Sequence, residues 1–414
     1  MSSGGAPNTG GNASTGGAAN TGGAVDAGGA TPSGGASGTG GGMPTGGNMS
    51  EGGTSSAGAA NGGTSSAGGT SSTGGTTDSA GATSTSGLPQ LHVDGNLVKD
   101  PNGKTIILRG VSLIDIGNLY YAGQQKATGI TTRIDKIFAA GLLPHVLRMP
   151  VYPRTCVNGT SPAYSQVPFP IGPAAPSGTH IAVTQDQYLN NVLKPAVDYA
   201  TQNGIYVIVD YHQIDNATTG TSGADATTFW QYMAAQFASY SNVLYEPFNE
   251  PIDSAVTWAN FKSVAQGWID TIRVAAPNNI IIVPSMSYDQ HPGDAANSPL
   301  TGSNLMYTAH IYPGNWSTAF KAQVANAVTK VPVFMTEWGY VLNGTDRNLG
   351  TAVATWGTDF RTLVDSEGAS WTAWVTDNGW QPNMFTNTTL TTLTDFGSVT
   401  KTWLSDTATS DWVQ

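Results

Sequence analysis

The sequence predicts an α/β fold, a closed (β/α)8 barrel, on three observations. Eight short apolar runs alternate with amphipathic stretches, the rhythm of βα units built around a parallel sheet. Together they occupy roughly 320 residues, a fitting length for one such barrel. No glycine-rich phosphate turn follows an early run, as an open doubly wound sheet would normally require.

The barrel is not expected to begin at the first residue. Residues 1–87 contain no Lys, Arg, aromatic, Leu or Ile, and their only charges are Asp26, Glu51 and Asp78. With so little to bury, this Gly/Ser/Thr/Ala-rich tract cannot offset its chain entropy and is expected to be a disordered linker. It repeats loosely, reading GGTSSAG at Gly52–Gly58 and again at Gly62–Gly68. As a random coil its ends would lie on the order of 50 Å apart. The opening Met1-Ser2-Ser3-Gly4-Gly5 shows neither a basic nor an apolar signal-peptide region. Order is expected from Leu88, giving a linker over 1–87 and one domain over 88–414.

Within Leu91–Leu108, alternating apolar residues are punctuated by Asp94-Gly95-Asn96 and Pro101-Asn102-Gly103, which predicts an N-terminal β-hairpin. The eight strand candidates follow: Ile106–Leu113, Pro144–Met149, Ile205–Asp210, Val243–Phe248, Ile280–Val283, Leu305–Ala309, Val333–Thr336 and Ser370–Val375. Helical spacing marks Thr132–Ala140, Gln185–Asn203, Thr227–Ser239, Ala255–Ala275, Ser317–Lys330 and Thr351–Glu367 between them. Gln290–Ser298 reads as a short turn or loop helix, and Ser398–Leu404 as a final helix.

Charge narrows the function. The 414 residues are 10% charged, with 16 basic against 27 acidic side chains and a formal charge of −11, and every basic residue lies beyond position 87. There is no basic stripe for nucleic acid. A charge-poor acidic surface disfavours anionic substrates and suits neutral ones such as sugars. No apolar run approaches the roughly 20 residues needed to cross a bilayer, so no membrane insertion is expected. The lone Cys156 forbids an intrachain disulfide or a cysteine metal cluster.

Active groups of a (β/α)8 barrel gather where strands run out into the following loops. At or just beyond the ends of the apolar runs stand Arg148, His212, Asn249 with Glu250, His310 with Tyr312, Glu337 and Trp374. Two are carboxylates on different strands, the pair needed to cleave an acetal between sugars. Asp210 and His212 have a spacing a metal could use, but no further ligand stands near, so no metal or cofactor is expected. A serine nucleophile elbow is absent. Glu246 shares a strand face with Glu250 and is expected to be a structural carboxylate inside the barrel, paired with Arg109. Trp316 and Trp380 fall in predicted loops, where flat rings can stack on sugars. The long Tyr152–Thr184 loop is expected to form a cleft wall.

The segments Leu108-Arg109-Gly110-Val111-Ser112, Leu147-Arg148-Met149-Pro150, Val209-Asp210-Tyr211-His212, Phe248-Asn249-Glu250-Pro251, His310-Ile311-Tyr312 and Thr336-Glu337-Trp338-Gly339 stand in order. In that order and spacing the chain resembles glycoside hydrolase family 5, cellulase-type retaining (β/α)8 enzymes, over essentially residues 90–405. The resemblance implies Glu250 as general acid and later base, and Glu337 as nucleophile. It implies that Asn249 binds the sugar 2-hydroxyl and that Arg148, His212 and Tyr312 surround the nucleophile. His310 would line the same subsite and Trp374, rather than Trp371, would form its floor. The implied activity is that of a retaining endo-β-1,4-glycanase acting on a neutral plant cell-wall polysaccharide, glucan or mannan. A catalytically silent tethered carbohydrate-binding barrel and an exo-acting β-glucosidase or exo-glucanase are the alternatives. Such a protein would be monomeric and extracellular, secreted or tethered to a cell surface, with polysaccharide as its partner.

Overall fold

The computed structural model describes residues 87–124, 126–152, 168–169, 181–182, 185–344 and 349–410. Residues 1–86 of the expected linker, Cys156 and most of the Tyr152–Thr184 loop lie outside the described residues.

Eight parallel strands close a barrel: β1 (Arg109–Ser112), β2 (Val146–Val151), β3 (Tyr206–Tyr211), β4 (Val243–Glu246), β5 (Ile281–Val283), β6 (Leu305–Ile311), β7 (Val333–Trp338) and β8 (Ser370–Ala373). Their order in space is their order in sequence, and β8 pairs with β1 to close the ring. All eight predicted runs became strands. Gly110 permits the tightest of these approaches, since a Cβ there would lie 1.7 Å from the Val146 carbonyl oxygen.

Alternation along the strands sorts side chains into two layers. Leu147, Met149, Val207, Val209, Tyr245, Ile281 and Val283 face outward into the layer beneath the helices. Val146, Ile208, Leu244, Ile282, Met306 and Phe334 form a separate apolar cluster inside the barrel. The predicted hairpin, His92–Asp94 paired antiparallel with Leu97–Lys99, belongs to this inner cluster through Leu91 and Val98. One end of the barrel is therefore plugged by hydrocarbon, and polar chemistry is left to the other.

Several elements escaped the sequence pattern. Helix Ile116–Ala122 precedes the expected one, which spans Thr128–Ala139. After β5, Ser287, Tyr288 and Asp289 adopt left-handed backbone angles, with φ of 54°, 60° and 57°. Non-glycine residues enter that region at a cost, and such turns concentrate at functional sites. Among the described residues no helix is long and apolar enough to cross a membrane.

Candidate active site

The polar end is organised around Arg148, which β2 points into the barrel and which is fully buried. Its guanidinium reaches across the barrel to side chains from several strands. Nε donates to Glu246 Oε2 at 2.6 Å, Nη1 to Glu337 Oε1 at 2.6 Å, and Nη2 to Asn249 Oδ1 at 2.6 Å. Asp210 Oδ2 lies 2.9 Å from Nη2 and also accepts from His212 Nδ1 at 2.6 Å. Glu246 is thus inside the barrel as expected, but its partner is Arg148. Arg109 sits one residue out of phase with the inward-facing positions and meets Asp365 of helix Trp356–Glu367 at 3.7 Å.

Strict alternation would aim Glu337 outward, because Thr336 already faces inward against His310 and Thr308. The register between β7 and β8 shifts between Met335 and Trp338. That irregularity turns both Thr336 and Glu337 inward and sends Trp338 out against Trp371, Phe360 and Trp403. Glu337 then has both oxygens held, Oε1 by Arg148 and Oε2 by the Tyr312 hydroxyl at 2.5 Å. Tyr312 is itself fixed by Asn315, which accepts from its backbone N–H and donates to the His310 carbonyl.

Glu250 is placed by the loop after β4, which pairs with the loop after β3. Asn249 N–H donates to Tyr211 O and Glu250 N–H to Gln213 O, each at 3.0 Å. Glu250 Oε1 lies 2.7 Å from His310 Nδ1. Glu250, His310 and Glu337 each bring a donor atom within 4.8 Å of the other two. A metal ion could use that spacing; in the structure a guanidinium lies 2.6 Å from Glu337 and His310 is hydrogen-bonded to Glu250.

The electrostatics fix the charge of Glu337. Burial pushes the Glu337 carboxyl up, but the charges of His310, Arg148 and His212, with the Tyr312 hydrogen bond, outweigh it and hold the group at about 2. Burial alone would lower His310; the surrounding Glu337, Asp289 and Glu250 raise it to about 10 instead. Glu250 is also the more accessible carboxylate, its side chain 13% exposed against 6% for Glu337.

An aromatic wall completes the group. Trp374, just past β8, stacks parallel on His212 with centroids 5.2 Å apart, and the Arg148 guanidinium carbon lies 5.9 Å from its ring. Tyr152 packs on the other partner of that stack, 4.2 Å from His212, and Trp380 stands edge-on to Tyr152 and 6.4 Å from Trp374. Trp371 is buried outside the barrel against Trp338 and Trp403. Trp316 is not brought to the site: it packs edge-on against Phe320 and Phe360 in the helical layer, a correction to its expected place on the cleft. Asp289, Thr336 and Asn315, which support His310 and Tyr312, were missed. Each is an ordinary loop or strand residue in sequence, and Asp289 is brought inward only by the left-handed turn.

The profile of the cellulase family, glycosyl hydrolase family 5, matches residues 100–379. An endoglucanase of Clostridium saccharobutylicum is 31% identical over 252 residues, covering 60% of this chain and 49% of that protein. Endoglucanase A of Butyrivibrio fibrisolvens is 27% identical over 322 residues, 77% of this chain and 68% of that protein. The chain matches half the length or less of several of these relatives. Among solved structures, a β-glucanase of Saccharophagus degradans aligns with a TM-score of 0.63 at 22% identity, covering 77% of this chain and 93% of that chain, and has also been solved with cellotetraose. The catalytic domain of a Thermobifida fusca endoglucanase aligns with a TM-score of 0.57 at 23% identity, covering 76% and 97%. At such identities these structures show a shared fold.

Proposed function

The chain belongs to the cellulase family, glycosyl hydrolase family 5, and from that premise we propose that it is an endo-β-1,4-glycanase that cleaves a neutral polysaccharide with retention. The carrying observation is the pair Glu250 and Glu337, with carboxylate oxygens within 4.8 Å of each other. Retaining enzymes hold their carboxyl groups about 5–5.5 Å apart, whereas inverting ones leave about 6.5–9.5 Å for a water.

In this mechanism Glu337 attacks the anomeric carbon while Glu250 protonates the departing glycosidic oxygen. Arg148 and Tyr312 keep the nucleophile ionised and aimed. The resulting glycosyl-enzyme is hydrolysed by a water that Glu250, now a carboxylate, deprotonates. Asn249 suits the sugar 2-hydroxyl: its Oδ1 is taken by Arg148, so its amide N–H groups are turned away, and Nδ2 has no hydrogen-bond partner among the described residues. Trp374 and Trp380 offer flat faces beside His212 for pyranose rings.

The relatives are called endoglucanases, and two structural neighbours bind cellotetraose, which favours β-glucan over mannan. We read residues 88–414 as the catalytic domain and the Gly/Ser/Thr/Ala tract before it as a tether holding that domain outside the cell. The test is reducing-end release from mixed-linkage β-glucan, carboxymethyl-cellulose and galactomannan, with the anomer of the first-formed product followed by NMR. Internal cleavage giving the β-anomer supports the proposal. No release from any β-glycan, or an α-anomer, overturns it; products of one or two sugars from the outset would make the enzyme exo-acting.

A further inference from the structure

Asp289 is fully buried yet belongs to no strand. It ends the left-handed turn Ser287–Asp289, where three successive non-glycine residues hold positive φ. Its Oδ1 accepts from the Ser285 backbone N–H at 2.5 Å, which closes the turn and fixes the carboxylate. Its Oδ2 then faces His310 Nε2 at 3.5 Å. Nε2 also lies 3.0 Å from Thr336 Oγ1, while the opposite ring nitrogen, Nδ1, meets Glu250 at 2.7 Å and Glu337 at 3.6 Å. An imidazole set between carboxylates on both edges has an acceptor waiting for a proton at each nitrogen.

We propose that Asp289 is a positioning residue for the acid–base glutamate: standing behind His310, it keeps that ring doubly protonated and oriented so that Nδ1 always donates to Glu250. The strained turn is what holds a carboxylate at this depth, and the imidazolium is the counter-charge nearest to it. The groups acting on the His310 proton come from every side: Glu250 after β4, Asp289 after β5, and Glu337 on β7, with Asp210 on β3, Glu246 on β4 and the Arg148 cation deeper in the barrel. Burial, the largest influence, pushes the Asp289 carboxyl well above its ordinary value against the opposing His310 charge, so Asp289 ionises only as far as the facing imidazolium supports it. The fixed Nδ1 donor leaves the other oxygen of Glu250 as the place for the transferable proton. This role rests on the acid–base reading of Glu250, but its physical core, a charged His310 held by Asp289, can be observed without turnover.

The experiment uses the full chain with 15N-labelled histidine, the His310 signals being identified by their loss in His310→Gln. In the native protein both ring nitrogens should show imidazolium shifts at neutral pH and keep them above about pH 8, well past the ordinary histidine range. In Asp289→Asn the midpoint should fall by about one pH unit or more, a tenfold weaker hold on the proton. The alkaline limb of kcat/KM on β-glucan should move down with it. A neutral His310 at pH 7 in the native protein overturns the proposal whether or not the variant folds. An unchanged midpoint in folded Asp289→Asn overturns it as well. A protein with the expected histidine shifts but no glycan hydrolysis would overturn the proposed function and still support the hold of Asp289 on His310.

Discussion

Arg148 Nη1 and Glu337 Oε1 lie 2.6 Å apart, both groups buried, one on β2 and the other on β7 with β8 and β1 between them. The contact ties the nucleophile candidate to a cation that already holds Glu246, Asp210 and Asn249. Removing the cation therefore strands three carboxylates at once. Arg148→Met should cost about 3–5 kcal/mol in urea unfolding, because an uncompensated buried charge is far more costly than an absent pair. Arg148→Lys keeps a charge but loses the planar fork, and should fold better while losing about 100-fold or more in kcat. Equal stability of Arg148→Met and the native protein would show that the carboxylates are neutral without it.

The pH dependence of stability follows from the signs of the shifts. Glu337 stands at about 2 in the fold against an ordinary 4.5, so its stabilising contribution is complete above 4.5 and is lost as pH falls through about 2. Asp210 and Glu246 carry the opposite sign. Burial, only partly offset by Arg148, raises both to about 7, so they favour folding at low pH and that contribution is lost as pH rises toward 7. Urea midpoints should climb from pH 2 to about 4.5 and decline toward 7. Tyr312→Phe removes the hydroxyl donor on Glu337 Oε2, so the acid limb of kcat/KM should move upward by about one unit. An acid limb that stays in place would remove Tyr312 from the set of groups holding Glu337 ionised.

Much of this geometry is legible in the sequence, and the limits are physical. The eight runs are readable because each is buried on both faces, which leaves continuous apolar stretches such as Ile205–Asp210. The placement of Arg148, His212, Glu250 and His310 follows from the rule that barrel chemistry sits where strands end. Glu337 follows from the same strand-end rule, but its inward aim does not: alternation alone would turn it outward, and the Met335–Trp338 register shift has no composition signature. Trp316 misled for the converse reason: a tryptophan in a loop looks the same whether it faces sugar or, as here, Phe320 and Phe360. Arg109 was assigned to Glu246 by charge when the strand's phase sends it to Asp365. Asp289 gave no signal, because nothing in Met286-Ser287-Tyr288-Asp289 announces a left-handed turn.

The proposed division of labour between the glutamates predicts a leaving-group effect. Glu250→Gln preserves shape and a contact for His310 Nδ1 but removes the transferable proton. On cello-oligosaccharides, whose leaving alcohol needs protonation, kcat should fall by about 100- to 10,000-fold. On a dinitrophenyl β-cellobioside, whose leaving group departs unaided, a burst of phenolate should persist and only the later hydrolysis should slow. Equal losses on both substrates, with no burst, would deny Glu250 the role of acid.

The two tryptophans offer a paired test, because the structure gives them opposite surroundings. Trp374 stacks on His212, lies over Arg148 and neighbours Trp380, so its ring forms a surface continuous with the acid–base cluster. Trp374→Ala should lower kcat/KM by about 10- to 100-fold, since losing a stacking face and the packing that orients His212 is worth a few kcal/mol. Trp316 instead contacts Phe320, Phe360 and the Lys321 ammonium in the helical layer. Trp316→Ala should therefore cost stability, about 2–3 kcal/mol for a partly buried ring, toward the low end for tryptophan truncation. Its KM for β-glucan should stay within about twofold of native, a change of under half a kcal/mol. Urea unfolding and Michaelis kinetics on both variants separate the cases. A large KM increase in Trp316→Ala at unchanged stability would return that ring to the cleft and show that the loop after β6 presents it to substrate.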